Sequence, residues 1–217
     1  GGAQYVHTFD KCFFMPSDLT AGLEYNRDRL KDNMWGYNRH TDQTVNIYSA
    51  FLQNEWKNDR WGILIGGRLD KHNMVDNVIF SPRANLRFNP TQNINLRLSY
   101  SSGFRAPQAF DEDMHIENVG GTVAMIERAK DLKEEKSQSF SVSADMYHRF
   151  GAFQTNLLIE GFYTRLTDVF VLGKPYDRGD GILVKTRSNG PGAKVMGLTL
   201  EGKVAYLSIL QIQAGLT

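Results

Sequence analysis

The chain has 217 residues, of which 41% are apolar and 23% are charged, and its formal net charge at pH 7 is +1. This balance argues against nucleic acid as a partner, and no apolar run reaches the roughly 18 residues of a membrane-spanning helix. The only cysteine, Cys12, excludes an internal disulfide and a cysteine-based metal cluster. These values do not exclude a transmembrane β-barrel, in which only alternate residues of each strand face lipid.

Alternation of apolar and polar residues predicts ten principal strands. It is clearest from Ser137 to Met146, where one face is mostly serine and the other mostly apolar. The charged stretch 30–42 is too irregular for a strand, and 173–192 has the Gly, Pro and Asp content of a loop, with a short strand at 182–184. The predicted strands cover residues 5–14, 19–29, 45–56, 61–69, 81–88, 93–103, 137–146, 153–168, 194–206 and 208–216.

The predicted connections alternate between short and long. The short ones are at 15–17, 57–59, 89–92, 149–152 and 206–208, and the long ones are at 30–42, 70–77, 105–134 and 168–193. Short turns at one end and long loops at the other are typical of outer-membrane β-barrels, whose long loops are extracellular. Aromatic residues near the strand ends fit the girdles of such a barrel, although the rim of a soluble core would place them similarly.

The hairpin within residues 81–108 has the most specific sequence. Apolar residues from Ile94 to Tyr100 alternate with polar residues, and the break at 89–92 has the composition of a tight turn. Pro107 then ends the ladder because proline has no backbone N–H to donate.

Three motifs, taken in order, resemble the late barrel strands of TonB-dependent outer-membrane receptors. They are Ser81-Pro82-Arg83, then Gly103-Phe104-Arg105-Ala106-Pro107, then Asp131-Leu132-Lys133-Glu134-Glu135-Lys136-Ser137. Glu135 stands where the family usually has proline. The similarity extends from Val45 to Leu200, and in these receptors the motif residues are structural.

The resemblance implies an all-β, antiparallel up-and-down meander that forms part of a transmembrane β-barrel of about 22 strands, filled by an amino-terminal plug. Such receptors lie in the outer membrane of Gram-negative bacteria. They bind siderophore-iron, haem, cobalamin or glycans at extracellular loops and import them with the TonB energy-coupling complex. The chain starts and stops inside apparent strands, so we expect residues 1–217 to be one partial β-barrel domain without the plug and the terminal strands.

The expected partners are therefore outer-membrane lipid, the plug of the same parent chain, the TonB complex through the missing amino-terminal region, and a small-molecule or metal-chelate ligand. Charged residues on the polar strand faces are expected to point into the lumen, where they are hydrated or paired. These residues are Arg68, Arg83, Arg97, Arg105, Asp145, Glu160 and Glu201.

Ligand-binding candidates come from the two longest loops. The run from Asp111 to Glu117 is the densest polar cluster, and its oxygens or His115 suit Ca²⁺ or a transition metal. The spacing is not that of an EF-hand, so a solvated acidic loop is the favoured interpretation and no metal site is predicted. The candidates are Arg105, Asp111, Glu112, Asp113, His115, Asp177 and Arg178.

Catalytic motifs are absent from the sequence. It contains no nucleophile elbow, phosphate loop or dinucleotide fingerprint, and its five histidines lack metalloenzyme spacing. We therefore expect neither an enzyme nor a cofactor. Two alternatives share the strand alternation: a passive porin-like outer-membrane channel, and a soluble all-β ligand-binding module.

Overall fold

The structure is a computed structural model that describes residues 1–37, 39–108, 117–119, 122–179, 181–207 and 209–217. In these residues the only helical element is a 3-10 turn at Trp35–Tyr37, so no helix there is long and apolar enough to cross a membrane. The strands are β1 (Gly2–Cys12), β2 (Met15–Met34), β3 (Arg39–Lys57), β4 (Trp61–His72), β5 (Ile79–Thr91), β6 (Ile94–Arg105), β7 (Glu117–Val119), β8 (Thr122–Arg128), β9 (Glu135–Phe150), β10 (Phe153–Thr167), β11 (Phe170–Leu172), β12 (Tyr176–Asp177), β13 (Leu183–Asn189), β14 (Ala193–Tyr206) and β15 (Leu210–Leu216).

Ten of these strands form one sheet, which we call the wall. Its order is β1-β2-β3-β4-β5-β6-β9-β10-β14-β15, and every neighbouring pair is antiparallel. The predicted ten-stranded meander is confirmed. Among the described residues β1 and β15 do not pair with each other, so the wall is an open sheet rather than a closed barrel.

One face of the wall is apolar over its whole width. Leu98 of β6 lies between Leu86 of β5 and Val142 of β9, and the rings of Tyr100 and Phe140 are 4.7 Å apart on the same face. Leu98 is nevertheless 51% exposed. An apolar surface of this width would be costly in water, which indicates that it faces lipid or another apolar partner.

The opposite face of the wall is polar. Ser99 lies between Asn85 and Ser141 in the strand register, and the hydroxyls of Ser139 and Thr164 are 2.9 Å apart on neighbouring strands. The period-two alternation therefore sorts the side chains as the sequence predicts.

Aromatic side chains cluster where the short turns join the strands. Ring pairs lie 5.7 Å apart at Phe14 and Trp56 and 4.2 Å apart at Trp61 and Phe88. The first turn is tight: Phe13 adopts a positive φ of 62°, and the Trp56 indole N–H donates to the carbonyl of Cys12 at 3.0 Å. These rings form a band at the turn end of the wall.

Two predicted turns are displaced in the structure. The break expected at 15–17 lies instead between β1 and β2, at Phe13 and Phe14, and Pro16 is part of β2. The turn expected at 89–92 falls at residues 92–93, because the β5–β6 register shifts between Phe88 and Thr91 and accommodates Pro90 within β5.

The prediction of an irregular stretch at 30–42 was wrong. The β2–β3 ladder continues to the pair Met34 and Arg39, well beyond the end of β4. Ion pairs support this extension, at 2.7 Å between Arg29 and Asp42 and at 2.9 Å between Arg39 and Asp32. Alternation fails as a signal here because the hairpin lacks an apolar face.

The two longest connections contain a second sheet, which we call the loop sheet. Its order is β11-β13-β8-β7, with β12 also paired to β13, and the β8–β13 pairing is parallel. The sequence predicted loops in both connections, apart from a short strand at 182–184. That interpretation was wrong for β7, β8, β11 and β12, and it underestimated β13.

Candidate ligand-binding site at the loop end of the wall

The loop sheet joins the two long connections into one unit. Leu183 to Arg187 of β13 runs beside Ala124 to Arg128 of β8, and the Ala129 N–H donates to the Arg187 carbonyl at 2.9 Å. At the base of the unit, the Asn189 side-chain oxygen accepts the backbone N–H of Lys133 at 2.8 Å.

The same Asn189 amide also acts as a donor. Its nitrogen donates to the carbonyls of Lys133 at 3.0 Å and Asp168 at 2.7 Å. One side chain therefore fastens the return of the first long connection to the start of the second.

A small core stabilises the loop sheet. Met125 of β8 and Val184 of β13 are register partners, and they are 1% and 0% exposed. Arg187, three residues further along β13, is 5% exposed. Burial this complete contrasts with the exposed apolar face of the wall.

Arg128 anchors the loop sheet to the wall. One guanidinium nitrogen of Arg128 donates to the Gln43 side-chain oxygen on β3 and to the Pro107 carbonyl after β6, both at 2.9 Å. Because donors on charged groups make the stronger hydrogen bonds, this residue fixes the position of β8 above the polar face.

A second junction lies at the end of β4. His72 is 1% exposed, and its Nδ1 accepts the backbone N–H of Met74 at 3.0 Å while its Nε2 lies 3.3 Å from the Gln108 side-chain oxygen. This arrangement suits a neutral imidazole that donates from Nε2. Burial lowers the pKa of His72, and the Gln108 hydrogen bond and the Asp70 carboxylate offset only part of that effect.

A cavity of about 630 Å³ opens between the loop sheet and the start of β3. Among the described residues, its charged lining has four cations and one carboxylate. Arg39 pairs with Asp32 at 2.9 Å, and Arg178 lies 3.8 Å from Glu127. The lining residues are Arg39, His40, Thr41, Met74, Pro107, Met125, Ile126, Glu127, Arg128, Ala129, Lys130, Leu132 and Arg178.

The sequence-derived ligand candidates have different locations. Arg178 lines the cavity, whereas Asp177 accepts the Gly179 N–H at 2.7 Å within its own turn. Arg105 ends β6 with its guanidinium 5.6 Å from the centre of the Phe170 ring. The remaining candidates lie outside the described residues: Asp111, Glu112, Asp113 and His115.

Lining residues that sequence reasoning did not select include Arg39, Arg128 and Lys130. Arg128 and Lys130 stand in the long connection predicted at 105–134, and Arg39 stands in the stretch predicted to be irregular. What brings them together is the contact between the two sheets, in which Arg128 of β8 donates to Gln43 of β3 at 2.9 Å, and no local sequence pattern reveals it. In the described part of the chain no group of three or more His, Cys, Asp or Glu residues could hold a metal ion.

The strand register shows how the sequence motifs are related to one another in space. Gly103, Phe104 and Arg105 of β6 pair with Ser137, Lys136 and Glu135 of β9, so the second and third motifs are the two sides of one ladder. The Glu135 carboxylate, where the family usually has proline, accepts the Phe170 N–H at 2.9 Å. It therefore ties the ladder to β11 of the loop sheet.

The third motif also contains an ion pair, at 3.0 Å between Lys136 and Glu134. In the first motif, Pro82 of β5 pairs with Gly67 of β4. A Cβ at Gly67 would meet the ring of Phe80, so a larger residue there would force that exposed ring to move.

A charged network lies on the polar face of the wall. Arg68 contacts Glu24 at 2.7 Å, Asp70 at 2.8 Å and the Ser49 hydroxyl at 2.8 Å. The Ser49 hydroxyl in turn donates to Asp70 at 2.5 Å. The predicted lumen charge of Arg68 is thus paired within the wall.

The chain was compared with known proteins. The family model described as "TonB dependent receptor-like, beta-barrel" matches residues 2–217. A curated relative, the probable hemoglobin and hemoglobin-haptoglobin-binding protein 3 of Haemophilus influenzae, is 23% identical over 206 residues, which are 93% of this chain and 18% of that protein.

Solved structures share the fold at low identity. The siderophore receptor PirA from Pseudomonas aeruginosa has a TM-score of 0.77 at 14% identity, covering 99% of this chain and 47% of that one. A ferric enterobactin receptor from Pseudomonas aeruginosa in complex with enterobactin has a TM-score of 0.71 at 18% identity, covering 100% and 35%. The FrpB iron transporter from Neisseria meningitidis has a TM-score of 0.64 at 15% identity, covering 99% and 35%.

The chain therefore spans less than half the length of each of these relatives. Family membership rests on the match of the barrel model to almost every residue and on the fold of the wall. The chain belongs to the TonB-dependent receptor β-barrel family.

Proposed function

We propose that this chain is part of the barrel of an outer-membrane receptor that imports a scarce nutrient, with energy supplied through the TonB complex. The observation that carries the proposal is the distribution of short and long connections between the two ends of the wall. Its long connections lie at one end, and there the loop sheet builds a cavity with the start of β3. We call this cavity, at the loop end of the wall, the mouth. A receptor needs a binding cavity there because the ligand must be captured where it can then enter the lumen.

The two faces of the wall support a membrane location. Between Ala84 and Phe88 on β5 and between Ile94 and Tyr100 on β6, the apolar face carries no charged side chain. An arginine on that face would cost about 2–4 kcal/mol near the bilayer midplane. In this placement the apolar face contacts lipid of a Gram-negative outer membrane, the aromatic band lies at the periplasmic surface, and the loop sheet is extracellular.

In the proposed barrel, the wall would account for ten of the strands. Its polar face would line a lumen that holds the amino-terminal plug, and further strands would complete a barrel of about 22. The nutrient classes of the family are siderophore-iron, haem, cobalamin and glycans. Relatives named as siderophore, ferric enterobactin and iron proteins favour an iron compound.

The test uses the full-length receptor in its own host under iron limitation. Residues 109–130 are replaced by a short Gly-Ser turn, which removes β7 and β8 but keeps the ladder from Arg105 to Glu135. We expect uptake of the iron compound to be lost while the barrel still resists unfolding in detergent. As a matched control, Asp59→Ser in a turn at the opposite end should leave uptake unchanged.

Unchanged uptake after the loop replacement would contradict the assignment of the mouth. Removing the energy-coupling complex separates this proposal from a passive channel. An energy-coupled receptor loses uptake in such a strain, whereas a porin-like channel keeps it.

A further inference from the structure

The apolar face of the wall changes from apolar to basic at its loop end. On β10, Arg165 lies two residues beyond Tyr163, and on β14, Lys194 lies two residues before Met196. Because side chains alternate between the two faces of a strand, both cations belong to the apolar face and not to the polar face. Both side chains are exposed. The basic end of this face therefore begins directly where its apolar part stops.

Arg165 and Lys194 are register partners on neighbouring strands. Residues placed directly opposite each other in this way have Cβ atoms about 4.5–5.5 Å apart, and two like charges in such positions are destabilising. Neither side chain forms a hydrogen bond or an ion pair with any residue in the described part of the chain. The pairing is a local cost that an anion bound between the two side chains would remove.

Other cations at the same border already have partners within the chain. Lys136 of β9 forms an ion pair with Glu134 at 3.0 Å, and the Lys71 ammonium donates to two backbone carbonyls of the β4–β5 connection at 3.2 and 2.6 Å. Asp168, the carboxylate that follows β10, forms no ion pair among the described residues. Within that part of the chain, Arg165 and Lys194 are the cross-strand partners on the apolar face that are both cationic.

An exposed apolar surface adjoins the two cations. Tyr163 is the register partner of both Phe140 and Met196, and this row of side chains lies next to Arg165 and Lys194 on the same face. Met196 is 68% exposed. A guanidinium binds phosphate through two parallel hydrogen bonds, and an ammonium adds a point charge. The arrangement therefore suits an amphiphile with a phosphate head and apolar chains.

We propose that Arg165 and Lys194 bind the phosphate group of an outer-leaflet membrane lipid, whose acyl chains lie along the apolar face from Tyr163 and Met196 onward. The inference rests on the proposed function through its membrane location. The lipid site lies on the face of the wall opposite the lumen, and neither cation lines the mouth. It is therefore a second site, separate from the one proposed for the nutrient.

The first experiment counts lipids bound to the purified full-length receptor in detergent by native mass spectrometry. The probes are diphosphorylated lipid A and the same lipid with both phosphates removed. Arg165→Gln and Lys194→Gln should each weaken binding of the diphosphorylated lipid by about fivefold, which is the effect of one cation near an anionic membrane surface, and the double variant by about twentyfold. Binding of the dephosphorylated lipid should not change.

The matched control is Lys203→Gln, which removes a cation from the same strand but from the opposite face. Lys203 is the register partner of Asn156 and Gln213 and lies on the polar face of β14. This substitution should leave the affinity for both lipids unchanged.

The second experiment reverses one charge and separates lipid binding from a structural role. Lys194→Glu places opposite charges across the β10–β14 ladder, so without lipid its thermal unfolding should occur about 1–3 °C above that of the wild type. Addition of diphosphorylated lipid A should raise the unfolding temperature of the wild type and leave that of the variant unchanged. An equal rise in both proteins would contradict the proposal.

Contrary outcomes distinguish this inference from the proposed function. Equal affinity for the two lipids, or wild-type affinity in the double variant, would overturn the lipid site. Displacement of the lipid by inorganic phosphate at equal concentration would show a site for free anions, and would overturn the lipid as its occupant. These results leave the assignment as a nutrient receptor intact, because the binding is measured without transport. Recovery of the receptor outside the outer-membrane fraction of its host would overturn the proposed function, and the inference would fall with it.

Discussion

The wall and the loop sheet bury apolar side chains in different ways. In the wall, strands close in sequence pair antiparallel, and residues such as Leu98 remain 51% exposed. In the loop sheet, two distant segments pair in parallel around Met125 and Val184, which are almost fully buried. The wall therefore depends on a surrounding apolar phase, whereas the loop sheet has a core of its own.

The sharpest test of this difference is a pair of truncations in the full-length receptor. Met125→Ala should destabilise the loop sheet by about 2–5 kcal/mol, because it leaves a cavity in a small core. Leu98→Ala should cost under about 1 kcal/mol in a membrane, since lipid can fill the space. Hydrogen exchange of the β8 and β13 amides measures the first effect, and thermal unfolding of the barrel measures the second. Comparable losses at both sites would contradict the comparison.

The junction between the end of β4 and the start of the first long connection should respond to pH. Burial holds the pKa of His72 below its ordinary value of about 6.5, so the junction has its full stability above that pH. As the pH falls below about 6.5, the opened junction binds a proton that the closed junction rejects, and stability is lost. The Met74 N–H donates to His72 Nδ1, so the protection of this amide relative to its intrinsic exchange rate should fall over this range.

The control for this prediction is His72→Gln, which removes the titrating group. Exchange of the Met74 amide should then be faster at neutral pH and show no acid-dependent step beyond the intrinsic rate. The same step in both proteins would show that another group titrates.

The smallest effect is expected in the hairpin that extends the wall past β4. Arg29 and Asp42 form an ion pair at 2.7 Å, and the hydrogen bond from Arg29 lowers the pKa of Asp42. Both side chains are at least half exposed, so solvent screens the pair. Arg29→Ser should leave thermal unfolding of the barrel unchanged and only increase proteolysis near the tip. A clear loss of barrel stability would place this hairpin among the elements on which the wall depends.

Sequence reasoning succeeds for the wall because its two faces require opposite kinds of side chain at alternate residues. The alternation is clearest from Ser137 to Met146, and this stretch lies within β9. The same reasoning fails at 30–42, where both faces of the hairpin are polar and the ladder is held by cross-strand ion pairs such as Arg29 with Asp42.

The residues that line the cavity at the loop end of the wall were less predictable, for a different reason. Arg178 was selected from its loop composition, but Arg39 and Lys130 line the same cavity because the parallel β8–β13 pairing and the Arg128–Gln43 hydrogen bond bring three distant segments together. A parallel pairing between distant segments leaves no local periodicity to detect. The motifs predicted the β6–β9 ladder, whereas they gave no indication that Glu135 would tie it to β11.

The parallel pairing of β8 with β13 has a consequence for the order of assembly. The two strands are separated in sequence by the β9–β10 hairpin, so formation of that hairpin shortens the loop that their pairing must close. Contacts between segments so far apart pay the entropy of loop closure before they gain any stability. The β8–β13 pairing should therefore form last during biogenesis. The proposed ligand cavity would then be complete only after the neighbouring wall strands have been inserted.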